Sequence, residues 1–167
     1  PGKPEPGRVF GLIQEYRPTV FFAVPTGYAA MLAIEDAERR FDTSSLRLCV
    51  SAGEALPAAL FEAWTARFGV EILDGIGSTE ILHIFISNRP GRVKPGSTGE
   101  IVPGYEARIV NDDGREVSPD EVGDLWIKGD SICAGYWNQP ERTNETIRDG
   151  WIRTGDKYRR EANEALE

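Results

Sequence analysis

Apolar residues recur at helical spacing from Val9 to Tyr16, and the pattern stops at Arg17-Pro18, where the proline ring disfavours a continuing helix. Thr19 to Val24 is a short apolar run of strand length. Pro25-Thr26 then opens a helix with Tyr28, Met31, Leu32 and Ile34 on one side. Leu46 to Val50 reads as a second buried strand, leading into Ser51-Ala52-Gly53-Glu54. A further helix starts at Pro57 and runs to Phe68, with Leu60, Phe61 and Trp64 on its apolar face and Gly69 as its stop. Val70 to Leu73 is a third strand, expected to run into a glycine-rich turn at Gly75 and Gly77. Strands alternating with helices over short connections predict a parallel sheet.

After about residue 90 the texture changes. Arg89-Pro90-Gly91 and Lys94-Pro95-Gly96 are loop clusters, and short alternating strands follow at Glu106 to Val110, Asp124 to Lys128 and Trp151 to Arg153. Asn111-Asp112-Asp113-Gly114 and Arg148-Asp149-Gly150 are hairpin signals, because Asp-Gly readily supplies the positive φ that tight turns need. The predicted class is therefore α/β: a parallel-sheet lobe with flanking helices over residues 1–90, then a small antiparallel β-barrel-like lobe over residues 91–160. Residues 161–167 are expected to be a tail, which cloning could have added.

Charge narrows the function classes. Nineteen basic against 27 acidic residues leave a net charge of −8, which disfavours nucleic acid as a partner, although Arg153, Lys157, Arg159 and Arg160 could form a local basic patch. No run of 18 apolar residues exists, so no membrane partner is expected, and with no signal-like N-terminus the default compartment is cytoplasmic. Cys49 and Cys133 both sit among apolar residues and read as buried free thiols. With one histidine, they cannot build a Cys/His zinc site.

Several familiar site patterns are absent. Gly75-x-Gly77-x-x-Glu80 lacks the third glycine of a dinucleotide fingerprint, no Gly-Lys-Ser/Thr closes a phosphate loop, and no Gly-x-Ser-x-Gly elbow exists. Chemistry must come from carboxylates, hydroxyls and backbone dipoles. In an open parallel sheet ligands bind beyond the carboxyl ends of the strands. Two junctions there are rich in small and polar residues, Ser51-Ala52-Gly53-Glu54 and Asp74-Gly75-Ile76-Gly77-Ser78-Thr79-Glu80. The Thr79 hydroxyl suits a phosphate oxygen and the Glu80 carboxylate suits Mg²⁺. From spacing alone, the same stretch equally suits a glycine turn in which Thr79-Glu80 merely starts a helix.

Five segments in order resemble the adenylate-forming acyl-CoA synthetases. Ser51-Ala52-Gly53-Glu54-Ala55-Leu56 resembles the family's adenine-side loop, and Gly77-Ser78-Thr79-Glu80 its Gly-x-Thr-Glu motif. Lys94-Pro95-Gly96-Ser97-Thr98-Gly99-Glu100 resembles the approach to its barrel subdomain. Gly123-Asp124-Leu125-Trp126-Ile127-Lys128-Gly129, continuing through Gly135-Tyr136-Trp137-Asn138-Gln139-Pro140, resembles its Gly-Glu-Leu…Gly-Tyr…Pro stretch. Trp151-Ile152-Arg153-Thr154-Gly155-Asp156 resembles its Thr-Gly-Asp motif. Within the family, Asp74 to Glu80 together with His83 most resembles benzoate- and 4-hydroxybenzoate-type aryl-CoA ligases.

The resemblance implies that residues 1–90 are part of the α/β subdomain of an AMP-binding domain. It further implies an enzyme that activates an aromatic, benzoate-like carboxylic acid with ATP and Mg²⁺ to an acyl adenylate, then transfers the acyl group to coenzyme A. Thr79 would contact the α-phosphate and Glu80 would hold Mg²⁺, the two making the catalytic pair. Gly53, Glu54 and Ala55 would line the adenine, with Asp74 and Gly75 beside it, and Asp156 would accept hydrogen bonds from the ribose hydroxyls. Gly75, Gly77, Leu82 and His83 would line the acid pocket. His83 would sit on the side of Glu80 if a helix starts there. Tyr28, Phe85 and Trp137 read as packing residues. Where many relatives stack an aromatic on the adenine, this chain has Ile76.

Three parts of the family pattern are not in the sequence: the Ser/Thr/Gly-rich phosphate loop ending in lysine, the Gly-Arg-x-Asp hinge, and the small C-terminal domain with its own lysine. The chain is accordingly expected to be a segment of a larger ligase, itself inactive, whose parent could be a homo-oligomer. The alternatives are an adenylation domain that loads a carrier protein, and a non-catalytic nucleotide-binding module.

Overall fold

The computed structural model describes residues 4–162. The expected tail residues Ala165-Leu166-Glu167 lie outside them. Contact clustering divides the chain into one unit of residues 1–76 and 87–99 and a second of residues 77–86 and 100–167. A mixed sheet runs in the order β1 (Val20–Ala23), β2 (Leu48–Ser51), β3 (Ile72–Gly77), β4 (Ile84–Ser87), β5 (Glu100–Ile101).

In the first unit β1, β2 and β3 are parallel, pairing Phe21 with Cys49 and Val50 with Leu73. The helices are α1 (Pro6–Tyr16), α2 (Pro25–Leu32), α3 (Ala37–Arg40) and α4 (Ala58–Phe68). Their ends follow the predicted signals. Pro25 stands in the first turn of α2, Arg17 closes α1 in the left-handed region, and Gly69 closes α4 with φ 70°. The short α3 was not anticipated. Arg67 explains how the turn that holds it is fastened. Its guanidinium donates to the Leu32 and Ile34 carbonyls and to Glu38 Oε2, all at 2.6 Å, satisfying carbonyls left open past the end of α2.

The core of this unit is aromatic. Tyr28 and Trp64 meet edge to face at 4.8 Å, Trp64 touches Phe68 at 4.4 Å, and Phe10 stacks on Phe41 at 5.2 Å. The buried Tyr28 hydroxyl lies 2.9 Å from the Val50 carbonyl and 3.1 Å from that of Phe21, so the ring packs without stranding its polar tip. Cys49 is buried and free, and burial pushes its thiol up to about 11.

The second unit carries a four-stranded antiparallel sheet, ordered β6 (Tyr105–Val110), β7 (Gly123–Gly129), β9 (Trp151–Tyr158), β8 (Ile147–Arg148). This order has two ends, so the sheet is an open, curled half-barrel. Strand alternation explains its faces. Ile109, Leu125, Ile127 and Ile152 are buried on one, while Arg108 lies 5.3 and 4.3 Å from the Trp126 and Trp151 rings on the other. Asp149 (φ 52°) and Gly150 (φ 79°) form the two-residue turn between β8 and β9, as Asp-Gly predicted. Asn111 to Gly114 also turns, but it returns the chain to Arg115 through Asn111 N–H to the Arg115 carbonyl at 2.9 Å, not directly into β7. A helix, α5 (Pro140–Thr146), precedes β8.

Two packing expectations need correction. Phe85 and Tyr28 are fully buried, but Trp137 is 94% exposed. Two members of the expected basic patch are paired: Arg153 and Lys157 share Asp124 at 2.6 and 2.8 Å. No helix among the described residues is long and apolar enough to cross a membrane.

Candidate nucleotide and acid site

In the first unit the candidate residues lie in the loop after β2 and in β3. Ser51 and Asp74 are register partners at the carboxyl end of the parallel strands, and both are buried. The chain leaves β2 through Gly53, whose φ of 91° suits glycine, and Gly53, Glu54 and Ala55 are exposed. It then returns so that Leu56 N–H donates to Asp74 Oδ2 at 3.4 Å. Asp74 Oδ1 and Ser51 Oγ, both buried, have no hydrogen-bond partner among the described residues. Desolvation accordingly pushes the Asp74 carboxyl up to about 6, with the Leu56 and Gly75 amides opposing the rise. A buried acceptor with no donor fits a ligand that brings one, such as an adenine amino group. The sequence reading placed Ser51 at this junction and in the adenine-side loop but gave it no role of its own.

Gly75 and Gly77 are not in a turn. Both lie within β3, and Gly75 is buried there. Gly77 is required by close approach: a Cβ would stand 2.4 Å from the His83 carbonyl oxygen and 2.8 Å from Ile84 Cα.

In the second unit the candidate residues begin at the turn after β3. Thr79–Ile81 is a single 3-10 turn, closed by Ile81 N–H to Ser78 O and Leu82 N–H to Thr79 O. It does not start an α-helix. Leu82 reverses the chain at φ 80°, and Ser78 N–H meets the His83 carbonyl at 3.3 Å, directing His83 into β4. The expected helical stacking of His83 over Glu80 is therefore replaced by a tight reversal, with Leu82 and His83 both exposed.

Glu80 is half-buried and held. Its Oε1 accepts from the Tyr136 hydroxyl at 3.0 Å, and its main-chain carbonyl accepts from Cys133 N–H at 2.8 Å. Among the described residues the hydrogen bond to the carboxylate ends on Oε1. No three His, Cys, Asp or Glu residues cluster for a metal among the described residues. The donor set thus fits Mg²⁺ of the kind held by one carboxylate plus phosphate oxygens and water, not a cation caged by protein alone. Thr79 is exposed in the same turn. Asp156 is exposed on β9, where its N–H donates to Thr154 Oγ1 at 3.1 Å beside Gly155 (φ 88°). A cavity of about 370 Å³ in this unit is lined by Ala134, Tyr136, Asn138 and Thr143, among others, and by none of the predicted site residues.

Comparison with known proteins decides the family. The model of the AMP-binding enzyme family matches residues 1–137. The chain belongs to that family. It is 50% identical over 157 residues to a benzoate–CoA ligase of Thauera aromatica, covering 93% of this chain and 30% of that protein. It is 48% identical over 165 residues to a 4-hydroxybenzoate–CoA/benzoate–CoA ligase of Rhodopseudomonas palustris, covering 98% and 30%. The crystal structure of the anthranilate–CoA ligase AuaEII in complex with anthranoyl-AMP superposes with a TM-score of 0.91 at 48% identity, over 95% of this chain and 30% of that one. This AMP-binding segment therefore spans about a third of the length of the ligases it matches.

Proposed function

We propose that this segment serves in an ATP-dependent aryl-CoA ligase, which activates a benzoate-like acid to its acyl adenylate and passes the acyl group to coenzyme A. The observation that carries the reading is the Gly77–Glu80 turn. It presents Thr79 and a fastened Glu80 in a chain about half identical to ligases named for benzoate and 4-hydroxybenzoate. Mg²⁺ would neutralise charge on the phosphate oxygens as pyrophosphate leaves.

The residues of the chain divide the work. Glu80 would hold the metal through its carboxylate, and Thr79 would donate its hydroxyl to the α-phosphate. Asp74, with an acceptor oxygen lacking a donor, would take the adenine amino group, beside Gly75 and the loop of Gly53, Glu54 and Ala55. Asp156 would accept from both ribose hydroxyls with its two oxygens. Gly75, Gly77, Leu82 and His83 would line the acid pocket. The sequence holds no lysine-ended phosphate loop, so the 167-residue chain by itself should release no pyrophosphate above the level of its Glu80→Gln variant.

The test is an exchange. Residues 4–160 replace the matching segment of the Thauera aromatica benzoate–CoA ligase, and benzoate-dependent pyrophosphate release and thioester formation are followed separately. The proposal expects both to persist. A folded hybrid that forms benzoyl adenylate but no thioester would point to an adenylating enzyme of another kind. A folded hybrid with neither activity would overturn the reading.

A further inference from the structure

Tyr136 has no role in the reading above, yet the second unit is arranged around it. We infer that Tyr136 is a positioning residue that holds the Glu80 carboxylate through one oxygen and leaves the other for the metal. The metal part of this inference rests on the proposed role of Glu80.

The geometry is a three-point brace. Ser131 Oγ, paired with the Tyr105 hydroxyl at 2.7 Å, donates to the Ile81 carbonyl at 2.7 Å. Cys133 N–H donates to the Glu80 carbonyl at 2.8 Å, and the Tyr136 hydroxyl donates to Glu80 Oε1 at 3.0 Å. The first two contacts fix the backbone of the turn, and only the third reaches the carboxylate.

The ring that carries this hydroxyl is itself fixed. The Arg142 guanidinium sits 3.9 Å from its centroid, and Tyr136 N–H donates to Thr143 Oγ1 at 2.9 Å. Thr143 Oγ1 in turn donates to the Gln139 carbonyl at 2.9 Å. Gly135, at φ 148°, permits the approach, since a Cβ there would stand 2.6 Å from Thr143 Cγ2. A phenol keeps its proton at neutral pH, so the direction of the bond to Glu80 is unambiguous.

A glutamate side chain left free must surrender its rotamer freedom when a metal orders it. With the hydroxyl in place, much of that ordering precedes the metal. Outer groups that orient a metal ligand typically contribute about 10- to 100-fold to metal affinity or activity.

Two measurements test this. In the 167-residue chain without nucleotide, side-chain carbon couplings should report one dominant Glu80 rotamer, and Tyr136→Phe should average it while the Cys133 and Ile81 amide signals stay in place. An unchanged rotamer distribution would overturn the inference. In the benzoate ligase hybrid, Tyr136→Phe should raise the Mg²⁺ concentration for half-maximal adenylation about 10-fold, with the KM for benzoate unchanged. Arg142→Gln, which keeps the hydroxyl, should raise it less, by about 2- to 3-fold; a larger effect than that of Tyr136→Phe would count against the hydroxyl. Glu80→Gln separates the two ideas. If it abolishes the Mg²⁺ response and Tyr136→Phe leaves it unchanged, the positioning inference falls. If Glu80→Gln leaves the Mg²⁺ response intact, the assignment of the metal to Glu80 has failed, and the rotamer result alone decides for or against Tyr136.

Discussion

Asp74 and Glu80 lie close in sequence, and their surroundings could hardly differ more. Asp74 sits within β3 at the carboxyl end of the parallel strands, buried, with one oxygen unpartnered and its carboxyl pushed up to about 6 by desolvation. Glu80 sits in an irregular turn, half-buried, with one oxygen taken by a phenol. A strand buried on both sides withholds water from a carboxylate, whereas a turn can offer a carboxylate to solvent and metal. The first environment suits a neutral or hydrogen-bonded acceptor, and the second suits a charge meant to meet another charge.

The largest effect should come from the exposed member of the pair. In the benzoate ligase hybrid, Glu80→Gln removes a negative charge but keeps the shape and an acceptor oxygen. Adenylation measured by pyrophosphate release should fall on the order of 100-fold or more. The hybrid should melt within about 1 kcal/mol of the unmodified one, because Gln keeps the shape and an oxygen that can still accept from the Tyr136 hydroxyl. A loss below about 5-fold would place the metal elsewhere.

Gly77→Ala attacks the junction between the two environments. The new Cβ would meet the His83 carbonyl group and Ile84 Cα, which are backbone atoms and cannot rotate away. Urea unfolding of the 167-residue chain should show a loss of about 3 kcal/mol, whereas Gly114→Ala, at a turn with open space, should cost less despite its φ of 75°. Equal losses would mean that the close approach at Gly77 costs no more than the positive φ at Gly114.

How far the sequence anticipated these environments depended on the kind of signal. The helix ends lay where Arg17-Pro18, Pro25 and Gly69 said they would, because proline restricts its own backbone and the residue before it, and glycine enters the left-handed region at no steric cost, whatever surrounds them. The Asp149-Gly150 turn was legible for the same reason. Gly75 and Gly77 were misread as a turn because glycine also serves where another backbone passes close, and that need is set by residues further along. The helix expected at Thr79 failed on Leu82, whose positive φ no propensity would suggest. Motif order pointed to Thr79, Glu80 and Asp156 as family residues. It was silent on Tyr136, since a hydrogen bond across so many positions leaves no local pattern.

Asp74→Asn asks whether burial alone governs the other carboxylate. Its folded pKa of about 6 lies above the ordinary value near 3.8, so between those values the native state binds more protons than the unfolded chain. Its contribution to stability is therefore greatest below about pH 4 and is lost as pH rises through about 6. The loss should amount to about 2 kcal/mol by pH 7. Asn, which does not ionise, should remove that part of the pH dependence, read as the difference between the two unfolding curves at pH 4 and pH 7. Parallel curves would mean that the unpartnered oxygen finds a donor that relieves its desolvation.

The smallest expected effect lies at His83, and it tests whether the turn proposed to offer Glu80 to a metal would also shape the proposed acid site. His83 follows the Leu82 reversal, is exposed, and leads into β4. On the proposed reading it would present an edge to the acid and would not carry the reaction. His83→Ala in the hybrid should change the ratio of kcat/KM for benzoate against 4-hydroxybenzoate by about 5-fold, near 1 kcal/mol, and leave the Mg²⁺ requirement alone. The distinction from Glu80 is the informative part. If His83→Ala shifted the Mg²⁺ requirement and not the acid preference, the reversal at Leu82 would be serving the metal ligand alone. Acid selection would then belong to residues on the Asp74 side of the comparison.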